Sequence, residues 1–161
     1  MSVQVRNQAL VGGERADLLS VNERSHCIRV WDTIGGQIFQ SSPVVINLDS
    51  TLINTSADVY SLANSEVTVK VAGIYQVNYN VTFQHATGSG DAVAFAWLEM
   101  EYGAGFYERE GTRAFVPLHG FSAGSGSCTT LLRMSANWRL RLRAQRDYGA
   151  DLLTMPLRTC A

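Results

Sequence analysis

The sequence has few charges and no long apolar run, and each shortage excludes a class of protein. Charged side chains make up 17% of the 161 residues, and the formal net charge is -1. This balance gives no electrostatic attraction to nucleic acid or to a membrane surface. No stretch approaches the roughly 18 apolar residues of a membrane-spanning helix. We therefore predict protein partners recognised by shape, with no nucleic acid and no membrane among the partners.

Cysteine is also scarce. Cys27, Cys128 and Cys160 are odd in number and widely spaced, with no Cys-x-x-Cys pair. Neither a disulfide framework nor a zinc site is indicated, and buried thiols in a reducing cytoplasm are the simpler interpretation. Charged residues within the first twenty positions interrupt the apolar run that a signal peptide needs. We expect the chain to be made and assembled in the cytoplasm of its host.

Helical periodicity is missing too, and the chain divides into two parts. Residues 1–42 are polar and broken by glycines, and we interpret them as an extended N-terminal arm with one or two short strands, with an unanchored tail as the alternative. Trp31, Ile34, Ile38 and Phe39 indicate that at least the second half of the arm packs on other residues. Residues 43–161 show short strands separated by turn residues, a pattern typical of sandwiches and barrels. We predict an all-β, antiparallel jelly-roll sandwich over residues 43–161, preceded by the arm.

Alternation within the strands indicates which face is buried. We predict strands over residues 73–85 and 92–102, among others. Within residues 74–83 one face is entirely aromatic or β-branched, as an inner strand of a sandwich requires, and the other carries amides, Ile74 and Thr82. In residues 138–145 apolar side chains alternate with arginines, so one face only is buried. The Gly-rich residues 122–127 lack a following helix or lysine, and we interpret them as a hairpin loop.

One string of residues resembles a known superfamily. It reads T-V-x-x-x-G-x-Y-x-V-x-Y-x-V and begins at Thr68, with Gly73 as the position that alternation alone would not predict. The string is similar to one in the trimeric jelly rolls of the tumour necrosis factor family and of the complement first-component globular heads. Residues 94–103, 124–145 and 151–161 resemble later strands of these domains. The resemblance implies a homotrimeric jelly roll.

Three departures from that pattern matter. The hairpin that usually reads Gly-Asp carries Ala136-Asn137 here. No collagen-like Gly-X-Y run precedes the domain, which argues against an animal secreted member, and Pro156 interrupts the closing strand, where it removes a ladder donor. An arm followed by a trimeric jelly roll resembles the decoration (cement) proteins and head-fibre modules of tailed bacteriophages. The resemblance implies a structural virion protein on the capsid surface, whose partners are the major capsid protein or neighbouring decoration trimers.

No motif for catalysis, cofactor binding or metal binding is present, and we predict that the chain is not an enzyme. The three histidines lack ligand spacing. Glu99 and Glu101 lie on the same face of one strand, about 6.6–6.8 Å apart along the backbone, a separation that an inverting glycosidase can use. Such pairs normally come from different strands that line a cleft. We therefore regard an enzyme as a weaker hypothesis than a capsid decoration protein or an adhesion module.

The resemblance to trimers leads to candidate interface residues, because a contact repeated around a three-fold axis favours uncharged or aromatic groups. The arginines of residues 138–145 form a second group of candidates, on a face that is either solvated or between subunits. We expect them to form ion pairs with Glu99, Glu101, Glu108 or Glu110, within the protomer or across a subunit boundary. The trimer-interface candidates are Tyr79, Phe83, Trp97, Tyr102, Phe115, Arg139, Arg141 and Arg143.

The arm supplies the candidates for anchoring to a capsid, because an extended segment adds affinity through backbone pairing and multivalency. The competing hypothesis is a receptor-binding or adhesion spike module, which would place exposed aromatics such as Phe106 and Tyr107 in distal loops. The capsid-anchoring candidates are Arg6, Arg15, Arg24, Arg29, Trp31 and Phe39.

Overall fold

The structure is a computed structural model that describes residues 2–7, 26–88 and 90–155. Within these residues the strands form two seven-stranded sheets in which every strand pairing is antiparallel, so the all-β prediction is confirmed. In chain order the strands are β1 Ser2–Asn7, β2 Cys27–Trp31, β3 Ile38–Phe39, β4 Val44–Val45, β5 Ser50–Asn54, β6 Tyr60–Ala63, β7 Glu66–Val69, β8 Gly73–His85, β9 Ala92–Tyr102, β10 Gly105–Glu108, β11 Ala114–Leu118, β12 Gly124–Met134, β13 Trp138–Tyr148 and β14 Leu152–Thr154.

Strand β8 is the central strand of the first sheet. Along one edge it pairs with the full length of β12, and along the other it pairs with both β1 and β14. The sheet continues from β1 through β2 to β5, and β3 borders β14. In the second sheet β9 and β13 form the long central pair. Strands β10 and β11 flank β9, while β7 and β4 pair with β13 and β6 pairs with β7.

The core lies between the two sheets and follows the alternation in the sequence. The aromatic and β-branched face of β8 is buried, with Tyr75, Val81 and Phe83 at 0% exposure. Leu140 and Leu142 of β13 are buried opposite, which leaves the arginines of that strand on the outside. The strand bounds predicted for residues 73–85 and 92–102 are the observed ones.

The division at residue 43 does not coincide with a break in the fold. Strands β1, β2 and β3 all lie within residues 1–42 and pair with strands of the first sheet. Ile28, Val30 and Phe39 are fully buried in the common core, and the Phe39 ring packs edge-on against Phe83 at 5.4 Å between centroids. For these residues the prediction of an arm separate from the domain is wrong, because their apolar side chains complete the sandwich. The short strands predicted within the arm and the packing of its second half are confirmed by β2, β3 and Phe39. Residues 8–25 lie outside the described residues.

The interpretation of residues 122–127 as a loop is wrong for residues 124–127, whereas Ser122 and Ala123 do lie outside a strand. Gly124 and Gly126 begin β12, where they face β11 across the sandwich at very short range. A Cβ at Gly124 would lie 2.6 Å from the Pro117 carbonyl oxygen, and one at Gly126 would lie 2.6 Å from Val116 Cγ2. The alternating glycines and serines therefore form the first part of a strand, where the inner face has no room for a side chain.

The burial of Phe39 predicts that residues 27–39 support the whole domain. Phe39→Ala should lower the free energy of unfolding by about 3–5 kcal/mol, because it removes a fully buried ring. Ile38→Ala is the matched control, since the neighbouring side chain is 55% exposed and should cost less than about 1 kcal/mol. Urea denaturation followed by tryptophan fluorescence measures both. Equal stabilities of the two variants would show that this segment is not part of the core.

The close approach of β12 to β11 gives a second stability test. Gly124→Ala should destabilise the domain by about 1–3 kcal/mol, because the added methyl meets a backbone oxygen. Gly105→Ala is the control, since its Cβ would lie 3.7 Å from the Tyr107 side chain, an ordinary contact. Thermal denaturation compares the two. A Gly124→Ala protein as stable as the control would contradict the packing of β12 against β11.

Candidate assembly interface

The outer face of the second sheet carries a ladder of ion pairs. Since Leu140 and Leu142 point into the core, Arg139, Arg141 and Arg143 point outward from β13. The register with β9 places Arg141 directly opposite Glu99. Three arginines of β13 and three glutamates of β7 and β9 thus meet on this face, which we call the ion-pair ladder: Arg139, Arg141, Arg143, Glu66, Glu99 and Glu101.

Distances within the ion-pair ladder show that its charges are matched inside the protomer. Arg139 binds Glu101 through two hydrogen bonds of 2.8 and 2.6 Å and binds Glu66 at 2.7 Å. Glu99 accepts from Arg141 Nε at 2.7 Å and from Arg143 Nη1 at 3.0 Å. The Glu99 side chain is only 7% exposed. The arginines are therefore already neutralised, and a partner subunit is not required to supply acidic groups.

This geometry also bears on Glu99 and Glu101 as an acid/base pair. Hydrogen bonding to Arg139 holds the pKa of Glu101 below its ordinary value, so this carboxyl stays ionised at neutral pH and cannot serve there as a general acid. Phe106 covers the ladder, with the Arg141 guanidinium carbon 3.9 Å from its ring centroid. Phe106 thus packs on this ladder instead of standing free in a distal loop.

Trp97 lies beside the ion-pair ladder but is covered by its own chain. It is 4% exposed, and the Arg113 guanidinium stacks 4.9 Å from the ring centroid. Glu108 holds that guanidinium through hydrogen bonds of 3.0 and 2.6 Å. Phe115 packs on Phe95 at 5.6 Å and remains 58% exposed. Phe115 is thus available to a partner, whereas Trp97 is closed off.

Tyr79 and Phe83 are wrong as interface residues, because both side chains lie inside the protomer core. Phe83 is fully buried and Tyr79 is 2% exposed. The Tyr79 hydroxyl lies 2.8 Å from the Ala96 carbonyl oxygen and 2.5 Å from that of Thr112, and burial raises the pKa of the phenol. Tyr79 therefore links the two sheets from within. Tyr102, in contrast, is 62% exposed and packs edge-on against Trp138.

The outer face of the first sheet differs sharply from the ion-pair ladder. Residues 73–85 and 124–132 contain no Asp, Glu, Lys or Arg. The outward side chains of β8 are half-buried amides and hydroxyls, and those of β12 are exposed. Thr82 and Ser125 hydroxyls are 2.9 Å apart across the strand boundary. We call this surface the uncharged face: Gln76, Asn78, Asn80, Thr82, Ser125, Ser127, Thr129 and Leu131.

The sequence contains the signal for this surface. The alternation that buries the aromatic side chains of β8 places its amides on the opposite face, and the lack of charge is visible in the sequence itself. Tyr79 and Phe83, predicted as axis residues, lie on the opposite, buried face of the same strand. Trp31 and Arg29 lie on β2 on the outward side, since Ile28 and Val30 point into the core.

The anchoring candidates are scattered. Arg6 lies in β1 with its backbone opposite Gln76, and Arg29 is opposite Gln4 in the same sheet. Phe39 is fully buried, so it cannot contact a capsid, and it is wrong as an anchor. Arg15 and Arg24 lie outside the described residues.

One pair of titratable groups was missed because its members are 28 positions apart. His119 Nδ1 lies 3.0 Å from Asp91 Oδ1, and both side chains are well exposed. Ser122 follows in the same turn, but its hydroxyl donates to the His119 carbonyl oxygen at 2.6 Å and not to the imidazole. The three side chains therefore do not form the relay that activates a serine nucleophile.

Other features that could indicate ligand chemistry are limited. Within residues 2–7, 26–88 and 90–155 no group of three or more His, Cys, Asp or Glu side chains is placed to hold a metal ion. The same residues contain no helix long and apolar enough to cross a membrane. An open recess of about 480 Å³ is lined by Asp32 and Asp49. Their carboxylates already accept hydrogen bonds from the backbone N–H groups of Ile34 and Thr33.

Sequence comparison finds no match to a protein-family model and no match among curated proteins. Solved structures do match. Murine APRIL at pH 8.5 aligns over 97% of this chain and 98% of that chain, with a TM-score of 0.52 and 11% identity. Eiger TNF from S. frugiperda aligns over 97% of this chain and 85% of that chain, with a TM-score of 0.52 and 11% identity. The fold is a tumour necrosis factor-like jelly roll.

This finding agrees with the string of residues that predicted the fold. Gly73 begins β8, and the Tyr75 hydroxyl donates to the Val71 carbonyl just before that strand. The globular domain of zebrafish complement 1qA protein aligns over 95% of this chain and 92% of that chain, with a TM-score of 0.46 and 12% identity. The tumour necrosis factor-like fold puts both the uncharged face and the ion-pair ladder on the outer surfaces of one sandwich.

The salt bridge at Glu101 predicts a pH dependence of stability. Because its folded-state pKa is lowered from the ordinary 4.5, the folded chain binds fewer protons than the unfolded chain in acid. The stabilisation is present above pH 4.5 and is lost as the pH falls through the lowered pKa. Glu101→Gln should be less stable than the parent at pH 7, and this difference should shrink below pH 4.5. Urea midpoints across this range measure the effect.

The control for this experiment is Glu110→Gln. It removes an exposed carboxylate for which the described residues record no ion pair. Its stability should parallel that of the parent protein at every pH. A Glu101→Gln protein that behaves in the same way would show that the bond to Arg139 contributes nothing to stability.

Proposed function

We propose that the chain is a non-enzymatic structural protein that assembles as a homotrimer and decorates the capsid surface of a tailed bacteriophage. The observation that carries the trimer is the uncharged face. Its amides and hydroxyls can both donate and accept hydrogen bonds, so the face is able to meet a neighbouring copy without burying an unpaired charge. A tumour necrosis factor-like fold supports the same assembly.

Three-fold symmetry explains why charge matters on this surface. A side chain near the axis of a closed trimer occurs three times in a small volume, and three like charges there repel each other. The uncharged face meets this requirement. The ion-pair ladder does not need a partner, because its charges are balanced within one protomer. We therefore place the trimer contact on the first sheet and leave the ladder on the outside.

The capsid part of the proposal is supported only by a likeness in architecture, a jelly roll with an additional N-terminal segment. The described strands of that segment belong to the sheet, so an anchoring surface can come from their outward side chains or from residues 8–25. Arg15 and Arg24 of residues 8–25 therefore remain anchoring candidates together with Arg6, Arg29 and Trp31. Major capsid protein and neighbouring trimers are the proposed partners, and the virion surface is the proposed location.

A receptor-binding or adhesion module is the second candidate, and one observation favours it. Tyr102 and Tyr107 are 62% and 59% exposed at the β9–β10 hairpin. They line a recess of about 210 Å³ together with Met100 and Arg109. Exposed tyrosines beside an arginine are typical of recognition surfaces. This recess lies away from the uncharged face, so a trimer is able to present three such recesses.

The location of the trimer contact is testable by adding charge to the uncharged face. Thr129→Glu should shift the protein from trimer to monomer, because three carboxylates would be buried near each other. Ser61→Glu, on the outer face of the second sheet, is the matched control and should leave the trimer intact. Light scattering after size exclusion gives the mass, and circular dichroism checks the fold. A Thr129→Glu trimer would contradict this location, and a parent protein that is a monomer at micromolar concentration would overturn the homotrimer itself.

The capsid role requires a binding experiment with particles. Heads of the encoding phage, prepared without this protein, should bind the purified parent protein to saturation and resist heat or chelation better afterwards. Thr129→Glu should bind far less, because a monomer loses multivalent attachment. If the heads take up no protein while the parent binds to host cells, the adhesion hypothesis replaces decoration.

A further inference from the structure

The N-terminal strand β1 fills an internal position of the first sheet. Residues Ser2 to Asn7 pair with β8 on one side, and Ser2 to Arg6 pair with β2 on the other. Val3 is 3% exposed and belongs to the common core. Without β1, the facing backbone edges of β8 and β2 would lose their hydrogen-bond partners, which is costly in a sheet interior. We call the space alongside residues 75–80 of β8 the β1 lane.

The β1 lane is continuous with the position of the last strand. Strand β14 pairs with the same edge of β8, where Thr154 lies opposite Phe83 and the Met155 N–H donates to the Thr82 carbonyl at 3.0 Å. On the same edge of β8, Ser2 lies opposite Asn80, two positions before Thr82 in the sequence. Both segments run antiparallel to β8. Strands β1 and β14, which are distant in the sequence, therefore lie end to end along one edge of β8. The part that β1 fills is therefore held by a strand that no short hairpin fixes to β8 or β2.

The connection from β1 to β2 is far longer than the geometry requires. Arg6 lies directly opposite Cys27, and two residues suffice to join adjacent antiparallel strands. Here 19 residues, 8–26, separate the two strands. Fully extended they span roughly 60 Å, whereas a domain of this length has a radius of gyration of roughly 15 Å. The connection is long enough for β1 to reach the same lane in an adjacent protomer.

An exchanged β1 would make the same contacts as an unexchanged one. The backbone bonds to β8 and β2 and the burial of Val3 are identical whichever copy supplies the strand, so exchange loses no contact. In a trimer the neighbouring lane is also present at high effective concentration. Strand β1 lies beside β8 in the sheet that carries the uncharged face. The residues at both ends of the 8–26 connection therefore lie close to the proposed subunit boundary.

We propose that in the assembled protein each copy's β1 occupies the β1 lane of a neighbouring copy. The binding surface consists of the two backbone edges of β8 and β2 that face each other across β1, and the partner is a second copy of this chain. This inference rests on the proposed homotrimer and adds that the subunits are interlocked by a donated strand. Such trimers should exchange subunits slowly, because separation requires β1 to leave a sheet interior.

A disulfide between β1 and β8 distinguishes a donated strand from a strand that stays in its own chain. Gln4 and Asn78 are directly opposed, and opposed residues of antiparallel strands have Cα atoms about 4.5–5.5 Å apart, within the range of a disulfide. The variant combines Gln4→Cys and Asn78→Cys with Cys27→Ser, Cys128→Ser and Cys160→Ser. After oxidation, a donated strand should give covalent species of more than one chain on a denaturing gel without reductant.

The control is Ser61→Cys with Thr68→Cys in the same cysteine-free background, because this opposed pair lies in the short hairpin of β6 and β7. It should form a bond within one chain and run as a monomer. The native mass of every sample is measured by light scattering before oxidation. Multi-chain bands from the β1 pair together with a monomeric control support the exchange.

Three results would overturn the inference. A monomeric band with no free thiols, from a sample that is trimeric by light scattering, would show that β1 stays in its own chain while the homotrimer stands. Two free thiols after oxidation would show that Gln4 does not lie beside Asn78 in any copy. A native mass of one chain would reject the homotrimer and the exchange together, so the two failures are distinguishable.

Discussion

Strand β8 holds the molecule together, because its side chains support the core while both of its edges bind other strands. Its inner side chains, including Tyr75 and Phe83, are fully buried. One edge binds β12 over eleven paired positions, and the other binds β1 and β14. The outward amides of the same strand form half of the uncharged face. The core, the pairing with the first and last described strands and the proposed assembly contact therefore share one thirteen-residue strand.

The outer faces of the two sheets differ in how their polar side chains are arranged. On the second sheet, charges are placed opposite each other by strand register and neutralise one another, as Arg141 and Glu99 do. On the first sheet, charge is left out of β8 and of most of β12. A surface whose charges are matched internally is soluble and needs no partner, whereas a flat surface of amides and hydroxyls is suited to contact with a copy of itself. This contrast supports the proposed orientation of the protomer in a trimer.

Local alternation predicted the strands that bury one face, and it gave the bounds of β8 and β9 correctly. It could not reveal that β1 pairs with β8, since Val3 and Tyr79 are far apart in the chain and six residues carry too little pattern. Composition was misleading at Gly124 and Gly126, because glycine allows both a flexible loop and the close approach of two backbones. The carboxylate partners of the arginine row included Glu99 and Glu101 as predicted. Glu66 was missed, because the pairing of β7 with β13 depends on the register of the folded sheet.

Glu99 is shared between two arginines, and this constrains how the sequence can change over time. Loss of Arg143 alone leaves Arg141 and Glu99 paired, but loss of Glu99 leaves two guanidinium groups without their buried acceptor. Loss of both arginines is no better, because it leaves the Glu99 carboxylate, whose side chain is 7% exposed, buried without a partner. Substitutions at these positions are therefore interdependent, and a lineage that abandons the ladder has to change all three residues together. Related chains of this fold should thus retain the set or lack it as a whole.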